Sequence, residues 1–479
     1  MGGPDPARKV ALELISQRRR RGAHMRELLR SSASLSHLES RDRALAVRFA
    51  LGVTSTEGAL DTFIGAHLRS GSHLEPRVRD ALRLSCYEIC WLSTPIAVAV
   101  NQGVELVRSV APRAAGLANA VLRHVASEDA PQVLAAKRRL TSSTSDLVAK
   151  DVSLAAGIPA WLAYQLLSCR GPDICRQMAL AQTEPAPVYV AANAASLSEK
   201  EALRRMEEVC LNPEPTVLPG SWVLRNPGRL ASSGMVGNAV MVPCDLAVQI
   251  ISWLGAPSPG RRMLEVGQGR GTKTILFELR ALAEGGFAEI TSIDSESFKV
   301  RIASSRMAVA GISGHVNSLV FDGRALSRAT LPPVLAGGFD TVFVDAPCSG
   351  TGTMRRHPEI AWALERSSLN GGRADGLPRL QLDLLRGASA RVRPRGELFY
   401  ATCSMLAQED EDVVDEFLAS EEGQDFELAS ILDVDRLDLL TDEAYGLISD
   451  NTTDEGFFLS HPMVGSFDGH FCARFVRVE

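Results

Sequence analysis

The hydrophobic period of the chain changes part-way along. Up to about residue 127, apolar positions recur at helical spacing. Ala11, Leu12, Leu14 and Ile15 open one amphipathic stripe, and Ser40-Arg-Asp-Arg-Ala-Leu-Ala opens another with Ser40 as its N-cap. Further helical stretches fall at 56–68, 76–92, 97–109 and 113–124, with no strand pattern among them. A charged, Ala- and Ser-rich connector covers about 127–151. From Ile158 two helical stretches lead to an extended run at 187–193, a helix over 197–209, and a Pro-, Gly- and Ser-rich segment at 211–240. That mixture suits a small α+β module. Beyond Leu246 strands and helices alternate: strands at 263–266, 290–294, 317–321, 341–345 and 397–402, helices at 273–283, 297–310, 379–392 and 409–419, then closing strands at 457–460 and 470–478. Such alternation predicts a parallel sheet. The expected organisation is multidomain: an all-α domain over 1–130, a linker and small α+β domain over 131–245, and an α/β Rossmann-like domain over 246–479.

Charge adds an asymmetry. The net charge is −6, but residues 1–130 hold 18 Lys/Arg against 13 Asp/Glu, while the remainder holds 33 against 44. The basic part suits an anionic partner. Its sharpest run is Arg18-Arg19-Arg20-Arg21, a pattern that is usually a solvated helix face. The nine cysteines show no short paired spacing, which suits a reduced, cytoplasmic setting rather than a disulfide framework. No run approaches the ~18 apolar residues of a membrane span, and the N-terminus has no signal-peptide core. A myristoylation pattern would need Ser or Thr where Pro6 stands. Nothing asks for a second copy, so a monomer is expected.

The candidate chemistry lies in two apolar runs that each stop at a cysteine. One is Phe339-Asp-Thr-Val-Phe-Val-Asp345-Ala-Pro347-Cys348-Ser-Gly-Thr-Gly352; the other is Leu398-Phe-Tyr-Ala-Thr402-Cys403-Ser404. As buried parallel strands they would deliver two thiols and the carboxylate of Asp345 to the C-terminal edge of a sheet, where open α/β folds bind ligands. A single cysteine there would be ordinary core. Two at equivalent strand ends are hard to assign to packing.

Between a strand and a helix lies Glu265-Val-Gly267-Gln268-Gly269-Arg270-Gly271-Thr272-Lys273-Thr274. Its glycines permit a tight turn and close ligand approach, and the helix N-terminus supplies N–H donors. A nicotinamide fingerprint and a phosphate loop would both need Gly at position 272, where Thr272 stands. The acidic residue followed by three alternate glycines suits S-adenosylmethionine. Asp294 and Asp322, ending the next two strands, would be placed for ribose hydroxyls and an adenine amino group. His357-Pro-Glu359 resembles half of a zinc deaminase signature, but the P-C-x-x-C half does not follow it, so no metal is expected.

These residues resemble the Nol/Nop/Sun family of RNA cytosine-5 methyltransferases, and within it the enzymes of bacterial small-subunit ribosomal RNA. The resemblance rests on Asp345-Ala-Pro-Cys348-Ser-Gly-Thr-Gly352 continuing to Arg355-Arg356-His357-Pro358-Glu359, on Tyr400-Ala-Thr-Cys403-Ser404, and on Phe467-Asp468-Gly469-His-Phe471. Asp42-Arg-Ala-Leu-Ala, Val100-Asn101-Gln-Gly-Val-Glu105 and Ala118-Asn119-Ala-Val-Leu-Arg123 extend it to the family's NusB-like helical module. It implies an RNA-binding N-terminal domain and a class I, S-adenosylmethionine-dependent catalytic domain. By resemblance Cys403 is the nucleophile, Cys348 assists product release, and Asp345 holds the base with Lys273 near it. Glu265, Gly267, Gln268, Gly269, Arg270, Gly271, Thr272, Lys273, Asp294, Asp322 and Asp345 would surround the cofactor. Arg355, Arg356 and the Arg18, Arg19, Arg20, Arg21 run are the candidates for RNA phosphates. The chain departs from the family's D-x-C-A-A-P-G-G-K-T motif: Glu265 replaces the Asp, and Gly267-Gln268-Gly269-Arg270 replaces C-A-A-P. The middle domain's L-R-V-N reads Val190-Ala191-Ala192-Asn193, without its Arg. Three other readings stay open: a DNA cytosine methyltransferase using Cys348, a non-catalytic RNA-binding or antitermination-type protein, and a phosphate-loop nucleotide-binding protein.

Overall fold

The computed structural model describes residues 5–71, 73–142 and 146–478. They pack as two units. One holds residues up to 186 together with 353–365 and 462–465; the other holds 187–352, 366–461 and the C-terminal segment from 466.

The first unit is helical. Its opening helix, Pro6–Arg21, starts where the Asp5 carboxylate accepts the Ala7 N–H at 2.9 Å and ends at Gly22 in the left-handed region. Helices Ser40–Ser55, Glu57–Ala66, Pro76–Trp91, Ile96–Val110 and Ala115–His124 lie within three residues of the expected spans. Their apolar stripes meet around Phe49, Leu60, Tyr87 and Trp91. The helix crossing at Gly52 is so close that the Tyr87 ring occupies the place of a Cβ, 2.0 Å away.

The expected connector is largely helical. A π-turn at Val125–Asp129 runs into the helix Ala130–Thr141, which buries Val133, Ala136 and Leu140. That stripe of three small or branched side chains is sparse among charged neighbours, so composition hid it. Residues 130–186 stay with the helical unit. The helix Ala160–Gln182 breaks at Gly171 and Pro172, in line with two stretches.

The second unit contains two sheets. β1 (Val188–Ala192), β2 (Pro213–Pro215), β3 (Ser221–Leu224) and β4 (Met241–Pro243) form an antiparallel sheet in the order β2-β3-β1-β4. The buried Asn193 amide joins it to the next sheet's helix Ser297–Ala310 by donating to the Ala310 carbonyl at 3.0 Å.

The larger sheet comprises β5 (Arg262–Val266), β6 (Glu289–Asp294), β7 (Val316–Val320), β8 (Phe339–Asp345), β9 (Val392–Thr402), β10 (Phe426–Ala429), β11 (Phe458–Ser460) and β12 (His470–Arg477). The order is β10-β12-β9-β8-β5-β6-β7, with β11 on β12. β5 to β9 are mutually parallel, and β12 runs antiparallel to β9. Leu264, Val266, Val342, Val344 and Leu398 fill one face, and Met263, Phe343, Phe399 and Ala401 the other. Burial on both faces is why these strands read as continuous apolar runs. The connections reverse direction between β5 and β8, which opens a crevice at their C-terminal ends.

Candidate active site

β8 and β9 are neighbours in parallel register, with Asp345 opposite Ala401. The loops leaving them therefore start side by side. Cys348 on the first and Cys403 on the second bring their sulfurs to 3.4 Å, and the Cys403 N–H points at the Cys348 sulfur at 3.3 Å. From the first turn of helix Thr272–Ala283, Lys273 Nζ reaches Asp345 Oδ2 at 2.7 Å. Burial disfavours the lysine's charge, but the Asp345 carboxylate more than offsets this, with help from Cys403 and Glu265. The Lys273 pKa lies above its ordinary value and the ammonium persists.

The thiols share one hydrogen bond and titrate together. The hydrogen bond from Cys348 lowers the Cys403 pKa against the effect of burial, and the Lys273 charge lowers it further. Cys348 is pushed well up, first by that same bond and then by burial. The Cys403 amide pulls the other way, stabilising charge on Cys348. We favour the thiolate on Cys403, because the ammonium of Lys273 acts on that sulfur.

A buried carboxylate that the sequence reading passed over holds the two loops. Glu409 accepts the Ser349 N–H at 2.8 Å, the Gln381 amide at 3.0 Å, the Ser404 hydroxyl at 2.7 Å and the Ser349 hydroxyl. Asp410 beside it accepts the Thr402 hydroxyl at 2.5 Å. In the sequence Glu409 and Asp410 look like first-turn acids of a helix. The helix begins at Glu411, and Ala407–Glu409 is a separate short turn.

The glycine turn lies beside Asp345. Gly267 has φ +91°, and a Cβ there would sit 2.2 Å from the Asp345 carbonyl oxygen. Gly269 and Gly271 are also left-handed. Asp294 accepts the Gly269 N–H and the Glu296 N–H, both at 2.9 Å, and so pins the turn to β6. Asp322, two residues beyond the end of β7, is partly exposed, its pKa lowered by the Arg324 guanidinium that pairs with it. Arg270 is exposed, and its carbonyl, with the Thr272 hydroxyl, accepts from Arg306. Two expected cofactor residues point inward. Glu265 is fully buried, takes hydroxyls from Thr274 at 2.5 Å and Ser292 at 2.7 Å, and has its pKa raised by burial to about 7. Gln268 is buried with its amide on the Ser318 hydroxyl at 2.9 Å.

This donor set fits S-adenosylmethionine. Carboxylates lie at or just beyond the ends of both strands beside the turn, ready for nucleoside hydroxyl and amino groups. A triphosphate would meet those carboxylates, and the lysine it needs is held by Asp345.

The expected RNA-contacting arginines divide. Arg18 pairs with Glu57 at 2.7 Å and Arg19 with Asp80 at 3.0 Å, whereas Arg20 and Arg21 are exposed. Arg355 and Arg356 belong to the helical unit. Arg355 is buried and donates to the Met463 carbonyl at 2.8 Å, and the Arg356 carbonyl accepts from Arg26. In the same segment Trp362 donates to the carbonyls of Ser55 and Gly157, both at 3.0 Å, and Glu359 accepts the Met25 N–H at 2.6 Å. The Arg355 guanidinium thus helps fasten this segment. No helix among the described residues is long and apolar enough to cross a membrane.

Residues 252–462 match the family model "16S rRNA methyltransferase RsmB/F", and residues 5–127 match the NusB family. Ribosomal RNA small subunit methyltransferase B of Thermus thermophilus is 30% identical over 401 residues, covering 83% of this chain and 84% of that protein. A putative methyltransferase of Mycobacterium tuberculosis is 29% identical over 410 residues, 84% of each. The crystal structure of PH0851 aligns over 99% of both chains with a TM-score of 0.73 at 19% identity, a likeness of fold.

Proposed function

The chain belongs to the 16S rRNA methyltransferase RsmB/F family, and from that premise we propose that it methylates carbon 5 of a cytosine in small-subunit ribosomal RNA through a covalent adduct on Cys403. Family membership makes it an S-adenosylmethionine-dependent RNA cytosine-5 methyltransferase. The observation that supports the finer reading is the pair of sulfurs at 3.4 Å beside the Lys273–Asp345 ion pair.

Carbon 5 of cytosine is too weak a nucleophile to take a methyl group unaided. The Cys403 thiolate adds to carbon 6, and the displaced π pair enriches carbon 5. Asp345 accepts from the exocyclic amine, and Lys273 offsets the charge that grows toward ring N3. S-adenosylmethionine, when bound, supplies an electrophilic methyl group. Gly267, Gly269 and Gly271 would shape its seat, Asp294 and Asp322 would take its ribose and adenine, and Arg270 and Thr272 would border it. Glu265 and Gln268 position the turn from beneath.

Once Cys403 is a thioether, its negative charge is gone, and with it the main reason that Cys348 holds its proton. Cys348 can then lose that proton to water and accept the one on carbon 5. The C5–H pair becomes the C5–C6 π bond, and the C6–S pair returns to Cys403. The target base must leave its stack, which favours a flexible or single-stranded RNA segment. Arg20 and Arg21 are the members of the basic run offered to phosphate. One chain carries every group in this scheme, so we read the enzyme as a monomer working in the cytoplasm.

The test is a trapping assay. Wild type, Cys348→Ala and Cys403→Ala are incubated with unmodified small-subunit rRNA and methyl-labelled S-adenosylmethionine, then run on denaturing gels. The expected result is an RNA–protein adduct in Cys348→Ala and neither adduct nor product in Cys403→Ala. Methylation by Cys403→Ala would move the nucleophile to Cys348, as in DNA cytosine methyltransferases. RNA binding with no transfer by wild type would support a non-catalytic RNA-binding protein.

A further inference from the structure

The parallel register of β8 and β9 brings the two cysteine loops into the same neighbourhood, but strand register does not fix two sulfurs to contact distance. The loops bond each other directly, Gly352 N–H to the Cys403 carbonyl at 2.9 Å and Met405 N–H to the Thr351 hydroxyl at 2.8 Å, and one side chain bonds the residue after each cysteine. Glu409 grips the residue after each cysteine: Ser349 by its N–H and hydroxyl, and Ser404 by its hydroxyl. Gln381 completes the shell and also donates to the Pro347 carbonyl at 2.9 Å, immediately before Cys348. Tyr400 fixes the backbone of Glu409 by donating to its carbonyl at 2.6 Å. Asp410 holds Thr402, immediately before Cys403.

Among the described residues every donor to the Glu409 carboxylate is neutral. A buried carboxylate without a cation is costly, and apolar side chains of similar volume would generally stabilise a core as well or better. That cost suggests a role beyond cohesion. We propose that Glu409 is a positioning residue that sets the alignment of Cys348 against Cys403 and thereby controls the release of methylated RNA from the enzyme. The inference rests on the two-cysteine reading above. Addition needs Cys403, Lys273 and Asp345. Release alone needs Cys348 aligned with carbon 5 while the C6–S bond breaks. Loosening the clamp therefore slows release more than addition.

The experiment compares full-length wild type, Glu409→Gln and Cys348→Ala on the same denaturing gels, with in vitro transcribed small-subunit rRNA and labelled S-adenosylmethionine. Gln keeps the side-chain volume but turns an amide on donors. For Glu409→Gln we expect turnover to fall about 10- to 100-fold, the size of effect that sub-ångström misplacement of reacting groups produces. KM for S-adenosylmethionine should stay within about threefold, and the RNA-linked fraction should rise about fivefold or more over wild type. Product loss in proportion to the folded fraction, with no rise in adduct, would make Glu409 structural and overturn the proposal. If Glu409→Gln does not fold, Ser349→Ala and Ser404→Ala each remove one strap and should raise the adduct in the same direction; no rise in either overturns it too. Cys348→Ala separates the two levels. Its adduct establishes the two-cysteine reading whatever Glu409 does, and its failure removes the reading and this proposal together.

Discussion

Two buried acids of the helical unit and two of the sheet unit meet different kinds of partner. In the helical unit the buried Glu88 and Asp80 meet guanidinium groups. Arg8 bonds Glu88 through Nε at 3.0 Å, both nearly inaccessible. Arg83 bridges Asp61 at 2.5 Å and Glu57 at 2.6 Å. Asp80, fully buried, takes Arg19 at 3.0 Å and the Ser16 hydroxyl at 2.9 Å. In the sheet unit Glu409 and Glu265 are buried against hydroxyls and amides, and Lys273 is reserved for Asp345. A neutralised pair presents little field to its surroundings, so it can orient helices but tunes no chemistry. Glu409, met only by neutral donors, raises the pKa of both thiols through its charge. The Arg8–Glu88 pair thus serves cohesion, whereas Glu409 stands where it can act on the thiols.

The largest test of that contrast is Cys403→Ala. Methyl transfer should fall by at least about a thousandfold, with thermal stability close to wild type, because the group removed reacts but binds little. Next, Glu88→Gln should cost about 3 kcal/mol in urea unfolding by leaving buried Arg8 with only the part-exposed Asp5, 3.6 Å away, as its charge partner. Its methylation rate per folded molecule should match wild type. A drop in that rate would break the contrast. Third, the acid limb of the kcat/KM profile should lie below the ordinary thiol range, since the Cys348 bond and the Lys273 charge lower the Cys403 pKa. Lys273→Met should move that limb to higher pH, as well as lowering the plateau. An unmoved limb would put the reactive thiolate elsewhere.

The smallest effect concerns stability. Glu278 is buried on helix Thr272–Ala283 with its pKa raised to about 7, chiefly by burial. A carboxyl whose folded pKa exceeds its unfolded one favours the fold fully below the unfolded value, and that advantage is lost as pH rises through the folded pKa. Tm should therefore decline between about pH 4.5 and 7. Glu265, also raised to about 7, contributes in the same window, so Glu278→Gln should flatten part of this decline by a few °C, and an unchanged slope would show that Glu278 is not one of its sources.

Much of this was legible along the chain. Tyr400-Ala-Thr402-Cys403 and Phe343-Val-Asp345 ended strands as expected, because residues buried on both faces of a parallel sheet must be apolar. Gly267 was singled out, and the structure supplies the reason in the Asp345 carbonyl against its Cα. Other features were not legible. Arg355 sits in a basic motif that looks exposed, yet it is buried on a carbonyl from residue 463, more than a hundred positions away. Glu265 and Gln268 occupy a cofactor-like motif but turn under the loop. The stripe of Val133, Ala136 and Leu140 was diluted by charged neighbours.

The sequence by itself determined the elements, the parallel sheet and the delivery of two cysteines and Asp345 to one edge of it. Those follow from local period and from chain order, which a single strand or helix already encodes. The tertiary structure decided which polar side chains face the crevice, which hold it together, and that Glu409 joins both loops. Those choices depend on donors brought together from Ser349, Gln381 and Ser404, and a carboxylate's role is set by the partners that surround it once water has been excluded.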